Sequence, residues 1–254
     1  MNNDPSLRGG RGIKAAYYIE ENRILFADEE CLVINKLPGE SSEAREIPGM
    51  VSLPQVLADQ FGAVKIREPG GGPFFPAAVH RLDVPVSGCI LFARTPGSLA
   101  ALSATFAQGR AEKTYWAVIE MPASPAELGE GGELVHWIKT DTRRNKSTAY
   151  NEAGPGRKKA VLHYRVRGRG IHYLFLEITL FTGRHHQIRA QLAARGLHIK
   201  GDLKYGGRRS EKNGGIRLHA FSLAFPHPAR PGETVRLQGE PPLPDPLWEA
   251  FKQC

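Results

Sequence analysis

The sequence predicts an α+β fold with a mixed, largely antiparallel central sheet flanked by helices. Segments with the two-residue period of strands and segments with helical spacing follow one another without the regular strand-helix-strand alternation of parallel α/β proteins. The 254 residues are enough to bury a substantial core. The longest apolar runs are far shorter than the roughly 20 residues that a membrane helix needs, so no membrane association is expected.

The first half of the chain contains four predicted elements. Residues 24–36 read as a β-hairpin, because two apolar triplets flank a polar turn. Residues 52–62 keep helical spacing up to Gly62, which stops a short helix. A second helix runs to about residue 108 and is stopped by Gly109, and the strand that follows carries Tyr115.

The second half contains two strands and a helix that bear on function. Between residues 162 and 167, apolar residues alternate with His163, Arg165 and Arg167, which is typical of a half-exposed strand with one basic face. The next strand is apolar on both faces and is expected to be central. A helix over residues 182–196 is predicted to begin at Thr182 and end at Gly196.

The first turn of this predicted helix is unusually basic. Arg184, His185 and His186 crowd the helix N-terminus, where the macrodipole disfavours positive charge by about 0.3–1 kcal/mol per charge. A phosphate or a buried carboxylate nearby would compensate, whereas the alternative is a merely exposed basic turn.

Charge is distributed unevenly along the chain. The formal net charge is +8, but residues 1–127 carry 12 basic and 15 acidic side chains, whereas residues 128–254 carry 22 and 11. The densest basic stretch, residues 139–170, is interrupted by polar residues, glycines and tyrosines. This pattern favours a surface that follows a nucleic-acid backbone, although a solvated basic face is the alternative.

Cysteine usage and the N-terminus indicate a reducing compartment. The three cysteines, Cys31, Cys89 and Cys254, are widely separated and show neither disulfide nor zinc spacing. Residues 1–16 lack periodicity and read as a disordered basic tail, without the apolar segment of a signal peptide. A cytoplasmic protein is therefore expected.

Five segments together resemble the motifs of a known enzyme family. Taken in order, they are "ILFADEECLVINKLPG", "HRLDVPVSGCILFAR", "EKTYWAVIE", "TGRHHQIRAQLAARGLHIKGDLKYG" and "IRLHAFSLAFPHP", and they are similar to the motifs of the RluA-type pseudouridine synthases. The resemblance spans roughly residues 24–245. It implies isomerisation of uridine to pseudouridine in a structured RNA, ribosomal or transfer RNA, in a deep basic catalytic cleft and without a cofactor.

The resemblance also assigns roles to four residues. Asp83 matches the catalytic aspartate, and Arg184 matches the arginine of the T-G-R motif, which is taken to pair with that aspartate. Tyr115 matches a tyrosine that stacks on the uracil, and Arg81 matches an arginine that helps to displace the target nucleotide from its stack. Whether Asp83 acts as a nucleophile or as a base at the ribose stays open.

The remaining expectations concern the RNA and the domain organisation. Residues 17–254 are predicted to form a single catalytic domain, a monomer without the separate amino-terminal RNA-binding domain of many family members. The RNA backbone is expected to contact the basic face of the second half. That face is predicted to comprise Arg143, Arg144, Lys146, Arg157, Lys158, Lys159, Arg165 and Arg167.

Two rival functions and one metal site are weighed against this interpretation. A catalytically silent RNA-binding or ribosome-assembly factor would have no chemical reason to keep Asp83, Tyr115 and Arg184 together. A metal-dependent RNA hydrolase would need a cluster of carboxylates, which the motifs do not supply. Adjacent histidines on a helix point about 100° apart, so no metal is expected at His185 and His186.

Overall fold

The computed structural model describes residues 17–43, 50–62, 76–124, 128–242 and 244–254. The predicted tail, residues 1–16, lies outside these ranges. The strands are β1 Ile24–Ala27, β2 Cys31–Lys36, β3 Glu40–Ser41, β4 Val51–Ser52, β5 Ala77–Ala78, β6 Ser87–Ala93, β7 Glu112–Glu120, β8 Gly131–Asp141, β9 Lys146–Tyr150, β10 Lys158–Arg169, β11 Tyr173–Leu180, β12 Leu218–Pro226 and β13 Thr234–Gln238. The helices are α1 Leu53–Phe61, α2 Pro96–Ala107, α3 Gln187–Ala194 and α4 Pro246–Lys252, with short 3-10 turns at Glu21–Arg23 and Leu203–Tyr205.

Eleven of these strands form one large sheet. Its main path runs β1-β2-β6-β12-β7-β11-β10-β8-β9, with β13 added to β12 and β5 added to β6. Within this sheet, β6 and β12 form a parallel pair and the other described neighbours are antiparallel. The predicted α+β class with a largely antiparallel sheet is confirmed.

The parallel contact between β6 and β12 is unusually close. Gly88 of β6 has φ +116°, and a Cβ atom there would lie 2.3 Å from the carbonyl oxygen of Ala220 in β12. Only glycine permits this backbone approach without displacing the neighbouring strand. The contact fixes the start of β6, and therefore the loop that precedes it.

Helices cover the two faces of the sheet at different places. α1 and α3 pack on one face and bury Leu57, Ile188 and Leu192 together with residues of the central strands. α4 packs on the opposite face of β7 and β11, where Trp248 and Phe251 join Trp116. On that opposite face, Val135, Trp137, Tyr150 and Val161 of β8, β9 and β10 are half-buried, and Cys254 lies against Gly168 near the end of β10.

Most of the local predictions are confirmed, but the last predicted helix begins later than expected. The hairpin and the helix that Gly62 ends are present, Gly109 follows α2 with φ +69°, and β11 is central. The helix predicted from Thr182 begins only at Gln187. Thr182 does not cap it, because its Oγ1 hydrogen bonds to the backbone of Val161 in β10 and to the Gln187 side chain.

No helix in the described ranges is long and apolar enough to cross a membrane.

Candidate active site

Asp83 lies in the loop between β5 and β6, and several backbone contacts fix this loop. The Val86 N–H donates to the carbonyl of Asp83, and the Gly39 N–H donates to the carbonyl of Val84. The Lys36 ammonium is fully buried and donates to the carbonyls of Leu37, Val84 and Val86 at 3.0, 3.0 and 2.6 Å. Three carbonyls match the three N–H groups of an ammonium, so Lys36 holds the loop that carries Asp83.

Burial acts against the charge of Lys36. It lowers the pKa of Lys36 to about 7, and the negative charges of Glu40 and Asp83 oppose this shift. The side chain has no direct carboxylate contact among the described residues, so the backbone carbonyls are the groups that compensate for its burial.

Asp83 forms its ion pair with Arg189, the third residue of α3. Arg189 Nη1 lies 2.9 Å from Asp83 Oδ2, and its Nε and Nη2 donate to the two oxygens of Asp202 at 2.7 and 2.8 Å. The Asp202 side chain is 1% exposed and that of Arg189 is 5% exposed. The bidentate contact with Asp202 fixes the plane of the guanidinium, so that one N–H of Nη1 points at Asp83.

The prediction that Arg184 pairs with Asp83 is therefore wrong. Because α3 begins at Gln187, Arg184 lies in the preceding loop, is exposed, and donates from Nε to the carbonyl of Lys159 at 2.9 Å. Side chains in a helix point back toward its N-terminus, which brings Arg189 rather than Arg184 over the carboxylate.

His186 is the second described group that faces Asp83. Its Nε2 lies 3.4 Å from Asp83 Oδ2, and its Nδ1 lies 2.9 Å from the Tyr205 hydroxyl. Burial lowers the pKa of His186 to about 3, although the charge of Asp83 acts in the opposite direction. The ring is thus neutral near pH 7, and it carries its proton on Nε2 because that nitrogen faces a carboxylate.

The backbone at His186 is held in an uncommon conformation. Its φ of 52° and ψ of 29° lie in the left-handed region, which non-glycine residues seldom adopt. The contact with Tyr205 supports this conformation, and Tyr205 in turn accepts a hydrogen bond from the backbone N–H of Ser147 at 2.8 Å. Strain of this kind persists only where the surroundings over-determine the backbone, as they do here beside Asp83.

A pocket of about 460 Å³ opens next to these groups. Asp83 is the only carboxylate among its described lining residues. The lining residues that carry charge or can form hydrogen bonds are His80, Arg81, Asp83, Lys113, Tyr115, Thr182, Arg184, His185, His186, Gln187 and Arg189. A carboxylate that is held by one arginine and faces a neutral histidine in such a pocket suits attack or proton transfer at a bound, neutral substrate.

The other predicted site residues also line this pocket. Tyr115 is 7% exposed, and burial together with the charge of Asp83 raises its pKa, so its hydroxyl stays protonated. Arg81 is exposed and lies 3.4 Å from Glu43 at the outer edge. The structure therefore brings Arg81, Asp83, Tyr115 and Arg184 to one pocket, with Arg184 at the mouth and not at the carboxylate.

The basic residues predicted to bind RNA fall into three groups. Arg143, Arg144 and Lys146 lie at the tip of the β8–β9 hairpin, where the neighbouring Asn145 contacts His185 of the pocket. Arg157, Lys158 and Lys159 lie at the start of β10, next to Arg184. Arg165 and Arg167 lie about 20 Å farther along β10, at roughly 3.3 Å per residue, and Arg167 pairs with Glu177 at 2.8 Å.

The described side chains that are placed to ligate a metal ion already have other hydrogen-bond or ion-pair partners. Both ring nitrogens of His185 have partners, Ser147 Oγ at 2.8 Å and Asn145 Oδ1 at 3.0 Å. Asp28, Cys31 and His227 form one further group in the described residues with ligand atoms close together. There, Arg230 and the His227 Nε2 already contact the same oxygen of Asp28, so the group forms an ion-pair network.

Sequence reasoning missed three residues that form the site, namely Lys36, His186 and Arg189. A lysine at the end of β2, one residue after the apolar run, was a signal, because a charged residue there must find buried partners. Arg189 could have been found from the helical period, because it lies on the same face as Leu192, which packs on the sheet.

Comparisons with known proteins identify relatives of this chain. The family model for RNA pseudouridylate synthase matches residues 30–194. A Zymomonas mobilis protein named as an uncharacterized RNA pseudouridine synthase is 34% identical over 233 residues, which cover 90% of this chain and 95% of that protein. The ribosomal large subunit pseudouridine synthase D of Xanthomonas campestris is 30% identical, over 95% of this chain and 75% of that protein.

The fold also has solved counterparts. The human RNA pseudouridylate synthase domain containing 4 superposes with a TM-score of 0.65, at 21% identity, over 91% of each chain. At this identity the similarity concerns the fold, and the family match rests on the sequence comparisons.

Proposed function

This chain belongs to the RNA pseudouridylate synthase family, and from that premise we propose that it isomerises a specific uridine of a structured RNA with Asp83 as the catalytic carboxylate. The observation that carries this proposal is the position of Asp83. It is the one carboxylate among the described residues of the pocket, and Arg189 and His186 face it.

The reaction needs few groups because it is an isomerisation. The bond between ribose C1′ and uracil N1 breaks, the uracil turns, and a bond forms between C1′ and uracil C5. The proton on C5 is then lost and N1 gains one, so no co-reactant is consumed. Asp83 serves as a nucleophile at C1′ or as a base at the ribose, and either role requires the carboxylate form that Arg189 stabilises.

Pocket residues are proposed to hold the displaced nucleotide. The target must leave its stack before Asp83 can reach the ribose, which costs a few kcal/mol. Tyr115 offers a flat face for the uracil at the base of the pocket, whereas Arg81 and Arg184 at the mouth fill the space left behind and contact phosphates. Arg81 suits this role because its only described ion pair, with Glu43, is long and exposed.

Ribosomal or transfer RNA is the proposed substrate class. The name of the Xanthomonas relative favours ribosomal RNA of the large subunit. The backbone is proposed to follow the basic residues of the β8–β9 hairpin and of the start of β10, which border the pocket. We assign the more distant Arg165 and Arg167 to the same path.

The proposal also includes domain organisation and location. We propose that residues 17–254 act as one catalytic domain, in keeping with a sheet that runs without a break from β1 to β9, and that the protein is a cytoplasmic monomer. Sedimentation of the purified chain tests the oligomeric state: a single species of about twice the chain mass would refute the monomer.

A catalytically silent RNA-binding factor is the alternative. The pairing of Asp83 with Arg189 and the strained backbone at His186 argue against it, because binding alone does not need an oriented carboxylate. Metal-dependent hydrolysis is disfavoured by the donor set, since the described residues of the pocket supply one carboxylate and that carboxylate faces an arginine.

Tritium release from RNA labelled at C5 of uridine tests the proposal. The wild-type protein should release tritium from total RNA of cells that lack its gene, with or without a chelator, and more slowly from RNA of cells that carry it. Pseudouridine mapping of the two RNA samples identifies the position. Binding without release would support the silent factor, and chain cleavage that a chelator stops would support the hydrolase.

A further inference from the structure

The sheet has an open face that carries a row of apolar and aromatic side chains. Antiparallel partners share a face, so the register places Val161 opposite Val135, and both Lys159 and Tyr150 opposite Trp137. The opposite face of these strands is covered by α3, where Leu134, Ile138 and Ala160 are buried. The name open sheet face is used below for Val135, Trp137, Tyr150, Lys159, Val161, His163 and Phe181.

Phe181 links this face to the active-site pocket. It follows β11, lines the pocket, and is 51% exposed. Its N–H donates to the carbonyl of Val161, and its ring meets the edge of His163 at a centroid distance of 4.7 Å. His163 is in turn held by Glu133 at 2.6 Å. An exposed phenylalanine is thus fixed in place at the rim of the pocket.

The row continues from Phe181 across the sheet. Trp137 lies two strand spacings and two residues along the strands from Phe181, because Phe181 is level with Val161 and Trp137 pairs with Lys159. At about 5 Å per spacing and about 3.3 Å per residue, this separation is roughly 12 Å. Tyr150 lies one spacing farther. Trp137 and Tyr150 are half-buried. The Arg157 guanidinium stacks on the Tyr150 ring, with Cζ 3.8 Å from the ring centroid. A planar, positively charged group therefore lies at this end of the row.

The charges around the row are mostly positive. Lys159 and Arg165 are exposed on the same face and form no ion pair with a described residue. The acidic Glu133 is already bonded to His163, and Glu177 is paired with Arg167. The face therefore combines stacking surfaces with unpaired cations, which is the chemistry of single-stranded nucleic-acid binding.

We propose that the open sheet face adds a base-stacking surface to this RNA path, on which the bases of a single-stranded segment flanking the target uridine stack. This inference rests on the proposed function, because Phe181 belongs both to the pocket and to the open sheet face, so that RNA bound in the pocket continues onto that face. The bases stack on Phe181 and Trp137, and the phosphates lie along Lys159 and Arg165. The substrate is therefore an RNA in which unpaired nucleotides adjoin the target.

Tryptophan fluorescence tests this surface without a substitution. Trp116 and Trp248 are 8% and 2% exposed, so Trp137 is the tryptophan that a stacked base can reach. An oligouridylate of about ten nucleotides should quench the fluorescence of the wild-type protein on binding. Trp137→Phe should bind equally well and lose the quenching. Binding without quenching in the wild type would overturn the proposal.

Affinity measurements with two RNA probes complete the test. Trp137→Ala and Phe181→Ala should each weaken oligouridylate binding by about 5-fold to about 150-fold, as expected for one stacked base. Neither should alter the salt slope or the binding of a duplex of about 16 base pairs, which is recognised by shape and phosphates. Ile171→Ala, at the exposed tip of the β10–β11 hairpin, is the matched apolar control and should leave both affinities unchanged.

Other outcomes separate this inference from the proposed function. Unchanged oligouridylate affinity in both alanine variants, or equal losses for the duplex, would refute the stacking surface. A change in oligomeric mass with unchanged affinity would instead assign the face to a second copy of the chain. Asp83→Asn should bind oligouridylate like the wild type, so a failure of catalysis by Asp83 leaves this result intact.

Discussion

Replacing Arg189 by methionine should damage both stability and activity, because Arg189 serves two carboxylates at once. Methionine keeps much of the length and apolar stem of the side chain but removes three hydrogen bonds, one to Asp83 and two to Asp202. Asp202 is then left with its charge in a site where its side chain is 1% exposed.

The expected loss of stability follows from this burial. Removing one partner of a buried ion pair costs about 3–5 kcal/mol, because the other charge is left uncompensated. For a chain of this size, that corresponds to a fall in Tm of roughly 6–20 °C. Turnover should fall further than stability alone explains, because Asp83 loses the guanidinium that orients it.

Urea unfolding and thermal melting measure this effect directly. Arg184→Met is the matched control, since Arg184 is exposed and bonds to the Lys159 carbonyl, and it should change stability by less than about 0.5 kcal/mol. In a double-mutant cycle, adding Asp202→Asn to Arg189→Met should recover part of the loss. Equal stabilities of Arg189→Met and Arg184→Met would refute the assignment of the buried pair.

Three further predictions follow from the surroundings of the site. Lys36→Met should cost at least about 2 kcal/mol, measured by urea unfolding, and should slow turnover, because three carbonyls, two of them in the Asp83 loop, lose their donor. His186→Ala should lower the single-turnover rate on the order of 10²-fold with little change in KM. His186→Gln keeps an N–H donor near Asp83 and should recover part of the lost rate. Equal rates for the two variants would contradict the role of the His186 N–H as a donor. Burial lowers the pKa of His80 to about 3 and that of His219 to about 4, so between about pH 6.5 and 4 the unfolded chain binds protons that the folded chain does not. Stability should therefore fall by about 2 kcal/mol per histidine at about pH 5, and His219→Gln should remove its share of this pH dependence in urea melts at about pH 7 and 5.

The sequence predicted the sheet well because its strands are marked by period and by glycine stops. The alternation along β10 and the apolar run of β11 gave their positions and the central place of β11. The parallel pairing of β6 with β12 was not predictable from local pattern, since Gly88 and Ala220 meet across more than half the chain.

The sequence predicted some of the residues that line the pocket but not how their side chains connect. Asp83 and Tyr115 lie at one pocket as expected. The error at Arg184 arose because threonine is a residue type that commonly caps helices, whereas Thr182 hydrogen bonds to β10 instead. The helix α3 therefore begins later in the chain, at Gln187. A contact with a distant strand overrode the local signal, and the shift brought Arg189 to the carboxylate.

Single-turnover tritium release by Asp83→Asn tests the central claim most directly. With enzyme in excess over RNA, this assay separates the chemical step from RNA binding, and asparagine keeps the size of the side chain while removing its charge. The account predicts no detectable release by Asp83→Asn, with folding and RNA affinity close to those of the wild type. Release within about tenfold of the wild-type rate, a difference of only about 1.4 kcal/mol in the barrier, would contradict it.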